Sequence, residues 1–241
     1  MLWGLQPGLL EALGGPGVMV ALLGVPRPLR PVPQPLHYPH KISVPGGSHI
    51  VFALTKLEVR QVLDAVDLTS PFGQRDYLLV LFLYHTGLRV GECAGLVMHL
   101  VALDGDPRQY LHLPASVCKG SRGRVVPLNA VAQKCIRKLI AFNCARGFST
   151  APAAPLFQNR CHGPLSVRSI QQLVAGYREK AGLDLRATPH TFRHSHASHL
   201  VAAGVPTVHV QNVLGHRHLS STQIYTHVSK EQLLQAARAL E

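Results

Sequence analysis

The chain has few acidic residues. Its 241 residues include 12 Asp and Glu against 24 Lys and Arg, so the formal net charge is +12. A chain this basic usually faces a polyanion, and nucleic acid is the first candidate; a merely cationic protein is the alternative. The length fits one or two domains, and a hydrophobic share of 46% is enough for a substantial core.

Paired cysteines and long apolar runs are also missing. Five cysteines, widely spaced and without a CxxC pair, indicate reduced thiols in a cytoplasmic protein rather than a zinc site or a disulfide framework. The apolar residues 8–25 contain Glu11 and Pro16, and no basic residue precedes Arg27. We therefore expect neither a signal peptide nor a membrane-spanning helix.

Proline divides the chain into two parts. Nine of the 18 prolines lie in the first 50 residues, and such a stretch resists helix and cannot join a central strand. We predict an extended or disordered leader over residues 1–53 and one folded domain over residues 54–241. The leader is either an arm that lies along DNA or a partner, or a dispensable segment.

Hydrophobic periodicity in the folded part predicts mainly helices. Thr55 with Glu58 three positions later is typical of a capping box at a helix start. A long apolar segment predicts two helices that are broken near Gly87, and Ser166 is the expected N-cap of a later helix that ends at Gly182. The predicted helical stretches are 54–67, 76–98, 129–145, 166–182 and 231–241.

Three short runs rich in β-branched residues predict strands, at residues 110–114, 116–120 and 124–128. The intervening residues 120–123 read as a hairpin turn. The expected fold class is therefore mixed α+β, mainly α-helical with a small antiparallel three-stranded sheet.

Residues 188–227 contain a possible catalytic group. The tyrosine hydroxyl, with a pKa of ~10, becomes a useful nucleophile when a base takes its proton and cations hold the group that it attacks. His190 and Arg193 share one helix face, and His216 lies nine residues before Tyr225. Arginine is suited to clamp a phosphate, because its planar fork donates two parallel hydrogen bonds. A core tyrosine bonded to a carbonyl is the alternative.

These residues resemble box II of the tyrosine recombinases, the phage integrase family. Residues 190–194 read His-Thr-Phe-Arg-His, residues 214–216 read Leu-Gly-His, and Tyr225 follows. His196 departs from the family, which commonly has an apolar or aromatic residue there. A metal bound by the histidines of this stretch is not expected, because no acidic residue joins them.

Residues 86–89 of this chain, Thr-Gly-Leu-Arg, followed by Glu92, are similar to box I of the family. From the residues alone, Arg89 and Glu92 form either a buried ion pair or a phosphate clamp that Glu92 holds in place. Residues 117–128 resemble the family's β-hairpin, which carries a catalytic lysine, here Lys119; a solvated turn lysine is the alternative. Arg122 and Arg124 are expected to contact the DNA backbone or to be solvated.

The resemblance implies the role of each residue. Arg89 and Arg193 neutralise the scissile phosphate, Lys119 is the general acid, His190 acts on the tyrosine proton, and Tyr225 is the nucleophile. His216 bonds the phosphate or packs near it, while Glu92 and His194 support these groups. The reaction makes a 3′-phosphotyrosine and then reseals the DNA, with no metal, ATP or other cofactor.

Double-stranded DNA is the partner that the resemblance implies, with a homo-tetramer acting on paired sites and residues 232–240 docking on a neighbour. Family members usually have an N-terminal DNA-clamping domain, which the Pro-rich leader does not resemble, so an accessory protein that supplies the clamp is expected. Besides a site-specific recombinase, two other functions stay open. One is a type IB topoisomerase-like enzyme, and the other is a non-catalytic DNA-binding remnant of a recombinase.

Overall fold

The computed structural model of the chain describes residues 40–42, 51–117, 123–183 and 187–215, together with residues 234, 237 and 238. Most of the predicted leader lies outside these residues. Its described parts form two antiparallel strands, β1 (His40–Ile42) and β2 (Val51–Ala53). Ordered pairing therefore begins before residue 54, and the boundary at residues 53 and 54 stays a prediction.

The helices of the described residues follow in chain order. They are α1 (Lys56–Asp64), α2 (Gly73–Thr86), α3 (Val90–Ala94), α4 (Met98–Val101), α5 (Ala130–Ala145), α6 (Val167–Lys180), α7 (Pro189–Ala202) and α8 (Thr207–Leu214). Between α4 and α5 lie the strands β3 (Ala102–Leu103), β4 (Asp106–Pro107), β5 (Tyr110–Leu113) and β6 (Arg124–Pro127).

Local sequence signals explain where these helices begin and end. The Thr55 side chain accepts a hydrogen bond from the Glu58 backbone, and the Glu58 carboxylate accepts one from the Thr55 backbone at 2.7 Å, which confirms the capping box of α1. The predicted break in the apolar segment is confirmed, since α2 ends at Gly87 with φ of 60°. Ser166 caps α6 and Thr188 caps α7.

The central helix α2 is apolar around most of its circumference, as expected of a helix buried on all sides. It packs against α5 and α7. On one side, Phe82 and Leu83 join a core built with α5 and the β5–β6 pair; on the other side, Tyr84 packs with Phe192 of α7. The buried position of α2 fixes its C-terminal end, where box I begins.

The sheet differs from the prediction. In the described residues, β1–β2, β3–β4 and β5–β6 are three separate two-stranded antiparallel pairs rather than one three-stranded sheet. The predicted middle strand, residues 116–120, is wrong in its described part, because residues 114–117 form a turn closed by a 3.1 Å bond from the Val117 N–H to the Pro114 carbonyl. The predicted hairpin turn lies outside the described residues, except for Gly123.

The C-terminal segment contacts the body of the same chain. Residues 234, 237 and 238 are helical, and the Asn129 side chain donates a hydrogen bond to the Ala237 carbonyl at 3.0 Å. Asn129 also caps α5 by accepting from the backbone of Ala132. In the parts of the chain that the structure describes, no helix is long and apolar enough to cross a bilayer.

Candidate active site

The structure describes six of the ten predicted site residues: Arg89, Glu92, Arg124, His190, Arg193 and His194. The other four lie outside the described residues: Lys119, Arg122, His216 and Tyr225. The described side chains come from four elements, α3, β6, α7 and the turn between α2 and α3. The three arginines among them converge on the C-terminal end of α8, which directly precedes His216 in the chain.

Arg89 lies at the break between α2 and α3. Its backbone N–H donates to Oε2 of Glu92 at 2.7 Å, and its Nη1 donates to Oε1 of the same carboxylate at 2.9 Å. The remaining arm, Nη2, donates to the Gly215 carbonyl at 3.2 Å. The side chain is 32% exposed, so Arg89 is an ion-pair partner of Glu92 that still presents an edge to solvent.

Glu92 contributes a carboxylate to the described part of the site, with a side chain that is 1% exposed. Burial by itself raises its pKa, but the hydrogen bond and charge of Arg124, together with Arg89, outweigh burial and lower the pKa below the usual value. Glu92 is therefore ionised at neutral pH, and it forms ion pairs with two arginines at once.

Arg193 reaches the same region from α7. It is 2% exposed, and its Nη1 donates to the Gly87 carbonyl at 2.6 Å, while its Nη2 donates to the Leu214 carbonyl. Burial, followed by the charges of Arg124 and Arg89, lowers its pKa to about 9. The residue is thus still charged at neutral pH, and it ties the end of α2 to the end of α8.

Arg124 corrects a prediction. Its side chain is 11% exposed, its Nη2 donates to Oε2 of Glu92 at 2.7 Å, and its Nη1 donates to the Val213 carbonyl. The expectation of a solvated charge is wrong, because the guanidinium is engaged within the protein. Residues two apart on a strand share a face, so the apolar Val126 was a signal that could have placed Arg124 inward.

Three arginines therefore bind three consecutive carbonyls at the end of α8. Arg124 bonds Val213, Arg193 bonds Leu214, and Arg89 bonds Gly215. The last carbonyls of a helix have no partner inside the helix and form the negative end of its dipole, which favours cations there. This arrangement brings the three guanidinium groups together at the chain segment that leads into His216.

The two histidines of the box II motif lie on the first turns of α7. The rings of His190 and His194 are in edge-to-face contact, with centroids 4.4 Å apart. Burial, then the charges of Arg193 and Arg89, lowers the pKa of His190 below its usual value. A lower pKa keeps the imidazole neutral at pH 7, and a neutral imidazole can accept a proton.

His196, which departs from the family pattern, points into the core. It is 1% exposed, and among the described residues neither ring nitrogen has a hydrogen-bond partner. Its ring packs on Gly87, where a Cβ atom would stand 2.7 Å from the His196 Cδ2. A polar ring thus occupies an apolar position directly under box I.

Arginines gathered at a helix end in a basic domain form the type of site that binds phosphate groups. Residues 53–232 match the phage integrase family, and the chain belongs to this family. The resemblance read from the two boxes is thereby confirmed.

Curated relatives include the tyrosine recombinase XerC of Anoxybacillus flavithermus, 36% identical over 73% of this chain and 57% of the relative. Another is the tyrosine recombinase XerD of Corynebacterium glutamicum, 35% identical over 82% of this chain and 64% of the relative. The chain thus spans about three-fifths of the length of these relatives.

Solved structures agree on the fold. The XerA recombinase matches with a TM-score of 0.57 at 23% identity, covering 76% of this chain and 63% of that protein. The XerH site-specific recombinase bound to the palindromic difH substrate, a post-cleavage complex, matches with a TM-score of 0.57 at 25% identity, covering 77% of this chain and 51% of that protein. The mainly helical fold with small antiparallel strands is a tyrosine recombinase catalytic-domain fold.

Proposed function

We propose that the chain is a site-specific DNA recombinase that cuts and rejoins strands through a 3′-phosphotyrosine. The observation that carries this proposal is the convergence of Arg89 and Arg193 on consecutive carbonyls at the end of α8, those of Gly215 and Leu214. Two guanidinium groups held at one helix end concentrate positive charge where a phosphate would be neutralised. Family membership supports the same chemistry.

In the proposed first step, the Tyr225 hydroxyl oxygen attacks the scissile phosphorus and the bond from phosphorus to the 5′-oxygen breaks. The tyrosine proton passes to His190, whose lowered pKa keeps its imidazole neutral and so free to accept a proton at pH 7. Lys119 gives a proton to the departing 5′-oxygen. Arg89 and Arg193 stabilise the charge that develops on the phosphorane, and His216 adds a contact to the phosphate.

In the second step, a 5′-hydroxyl from another strand attacks the phosphotyrosine and releases Tyr225. Because the phosphodiester energy is kept in the covalent intermediate, the strand exchange is isoenergetic and needs no nucleotide or metal. We propose double-stranded DNA as the substrate and a tetramer on two paired sites as the working assembly. An accessory protein that closes the clamp around DNA belongs to the same proposal, as does Arg122 as a contact to the DNA backbone.

The test is covalent capture on nicked suicide duplexes, in which the short fragment that carries the freed 5′-hydroxyl diffuses away after cleavage and the protein stays attached to the 3′-phosphate. Pools of random-sequence duplexes, and the DNA that flanks the gene, provide candidate sites. The full chain and its Tyr225→Phe variant are incubated with each pool and run on a denaturing gel. The proposal expects a slow protein–DNA band with the wild-type chain and none with the Phe variant.

Binding on the same duplexes separates the remaining outcomes. A gel shift without any covalent band contradicts the recombinase proposal and favours a non-catalytic DNA-binding protein. A covalent band that is followed only by resealing of the same strand, with no exchange between two duplexes, favours a type IB topoisomerase-like activity. A band that persists in Tyr225→Phe assigns the nucleophile to another residue.

A further inference from the structure

Arg124 has no role in the proposed chemistry so far, yet it is one of the most constrained side chains of the site. Its three nitrogen atoms all have partners: Nη2 and Nε face the Glu92 carboxylate at 2.7 and 3.4 Å, and Nη1 donates to the Val213 carbonyl. The aliphatic part packs on Gly215, where a Cβ atom would stand 2.7 Å from the Arg124 Cδ. A guanidinium engaged on all sides has no free fork for DNA.

Glu92 lies between two guanidinium groups. Its Oε1 accepts from Arg89 Nη1 at 2.9 Å, and its Oε2 accepts from Arg124 Nη2 at 2.7 Å. A carboxylate held at both oxygens by different arginines cannot rotate without losing a charge-assisted bond. Arg124 therefore fixes the carboxylate on which Arg89 rests.

The shared carboxylate also sets how much charge Arg89 offers to a ligand. One negative charge divided between two arginines leaves part of the Arg89 charge uncompensated. If Arg124 were neutral, the whole carboxylate charge would act on Arg89 and draw it inward, and Arg89 would attract a phosphate less strongly. In a site with little solvent, this difference is larger than it would be in water.

Arg124 connects two further parts of the site. It begins β6, the strand that follows the chain segment containing Lys119. Its bond to Val213 holds the turn of α8 whose next carbonyls bind Arg193 and Arg89. One side chain thus links β6, α3 and the end of α8.

We propose that Arg124 is a positioning residue for phosphoryl transfer, which acts through Glu92 to keep Arg89 aimed at the scissile phosphate with its charge only partly compensated. This inference rests on the proposed function. Arg124 then acts inside the protein and does not contact the DNA backbone. Its effect on cleavage should depend on the negative charge of the scissile phosphate.

The experiment measures single-turnover cleavage on the duplex that gives the covalent band, with either a normal phosphodiester or a neutral methylphosphonate at the scissile position. Arg124→Gln is compared with the wild-type chain. Arg137→Gln is the matched control, because Arg137 is exposed on α5. On the phosphodiester, we expect Arg124→Gln to cleave roughly 10- to 100-fold more slowly, the usual effect of removing a residue that orients a reacting group.

On the methylphosphonate, the defect of Arg124→Gln is expected to shrink to a few-fold, because the negative charge that Arg89 must meet has been removed. Binding in a gel shift is expected to stay within a few-fold of wild type, with the same salt dependence, since Arg124 does not touch DNA. Arg124→Lys keeps the positive charge but not the fork, so we expect it to recover part of the phosphodiester rate.

Other outcomes overturn the inference. If Arg124→Gln lowers the cleavage rate equally on both substrates, Arg124 only maintains the fold. If the rate is unchanged on both, Arg124 has no role in cleavage. A weaker gel shift with a reduced salt slope would make Arg124 a direct DNA contact. If Arg124→Gln does not fold, as judged by its thermal melt, a Lys variant that cleaves both substrates with equal defects contradicts the inference. A wild-type chain that forms no covalent band fails the proposed function itself.

Discussion

Arg193 shows how one side chain joins two chain segments that are distant in sequence. Its guanidinium bonds the carbonyl of Gly87 at the end of α2 and the carbonyl of Leu214 at the end of α8. Both bonds use the planar fork, whose arms diverge at a fixed angle. A lysine has the same charge but a single nitrogen, which does not replace two diverging arms.

We therefore predict that Arg193→Lys keeps DNA binding but lowers the single-turnover cleavage rate by roughly 10²- to 10³-fold, the usual effect of losing an oxyanion donor. It also leaves one buried carbonyl without its partner, which costs about 1–3 kcal/mol of unfolding free energy. The measurements are covalent-band formation over time and urea denaturation.

Arg168→Lys is the matched control for that prediction, because Arg168 is an exposed arginine on α6. It should match the wild-type chain in both measurements. An Arg193→Lys variant with wild-type cleavage would show that the charge alone is sufficient at this position.

The sequence motifs located most of the site residues that the structure describes, but not the contacts among them. Motif spacing predicted that Arg89, Glu92 and Arg193 belong to one site. In the structure, Glu92 pairs with Arg89, and Arg89 and Arg193 bond neighbouring carbonyls at the end of α8. The inward position of Arg124 was missed because a basic residue near a turn was read as a surface charge. Pairing between Arg124 and Glu92, 32 residues apart, depends on tertiary packing that local patterns do not encode.

At the scale of elements, helix ends were predictable because their signals are local. A capping box, a glycine break and a serine cap each act within four residues, and all three were confirmed. Strand pairing was not predictable in the same way. The three β-like runs had suitable composition, but among the strands that the structure describes β5 pairs with β6 alone, because pairing depends on which strands the packed helices bring together.

The turn between α2 and α3 is the element on which box I depends. Gly87 has φ of 60°, and a Cβ atom there would stand 2.7 Å from His196 Cδ2 and 3.0 Å from Leu214 Cδ2. We predict that Gly87→Ala lowers the unfolding free energy by about 2–4 kcal/mol, from the left-handed backbone and the crowding combined. Urea denaturation measures this loss.

Gly91, four residues later in α3, is the matched control. A Cβ atom added to Gly91 would have no neighbouring atom within 4 Å, and the φ of Gly91 is not in the left-handed region. Gly91→Ala should leave stability unchanged or raise it by about 0.5–1 kcal/mol, because alanine favours helix. Equal effects of the two substitutions would contradict the assignment of strain to Gly87.

At the scale of the whole molecule, two buried histidines contribute to the way the stability of the protein depends on pH. Burial lowers the pKa of His196 to about 3 and that of His85 to about 4. His85 must stay neutral to accept the hydrogen bond from Asn129 at 3.1 Å, and Asn129 also holds the C-terminal segment through Ala237. Protonation of these rings therefore acts on both the box I turn and the C-terminus.

The sign of the effect follows from proton binding. Since both folded-state pKa values lie below the usual 6.5, the unfolded chain binds more protons than the folded chain between about pH 7 and pH 4. The stabilisation that the two neutral histidines provide is fully present above pH 6.5 and is lost as the pH falls. Protonation linked to each histidine lowers the unfolding free energy by about 2 kcal/mol between pH 8 and pH 5. This is a large part of the roughly 5–15 kcal/mol by which a typical domain is stable.

We predict that His196→Leu loses about 2 kcal/mol less than the wild-type chain when the pH is lowered from 8 to 5, because leucine cannot be protonated. Urea denaturation at both pH values measures the difference. His112→Gln is the control, since His112 is exposed on β5, and it should follow the wild-type chain. If His196→Leu and wild type lose the same stability, burial does not keep the His196 ring neutral, and the acid sensitivity arises elsewhere in the molecule.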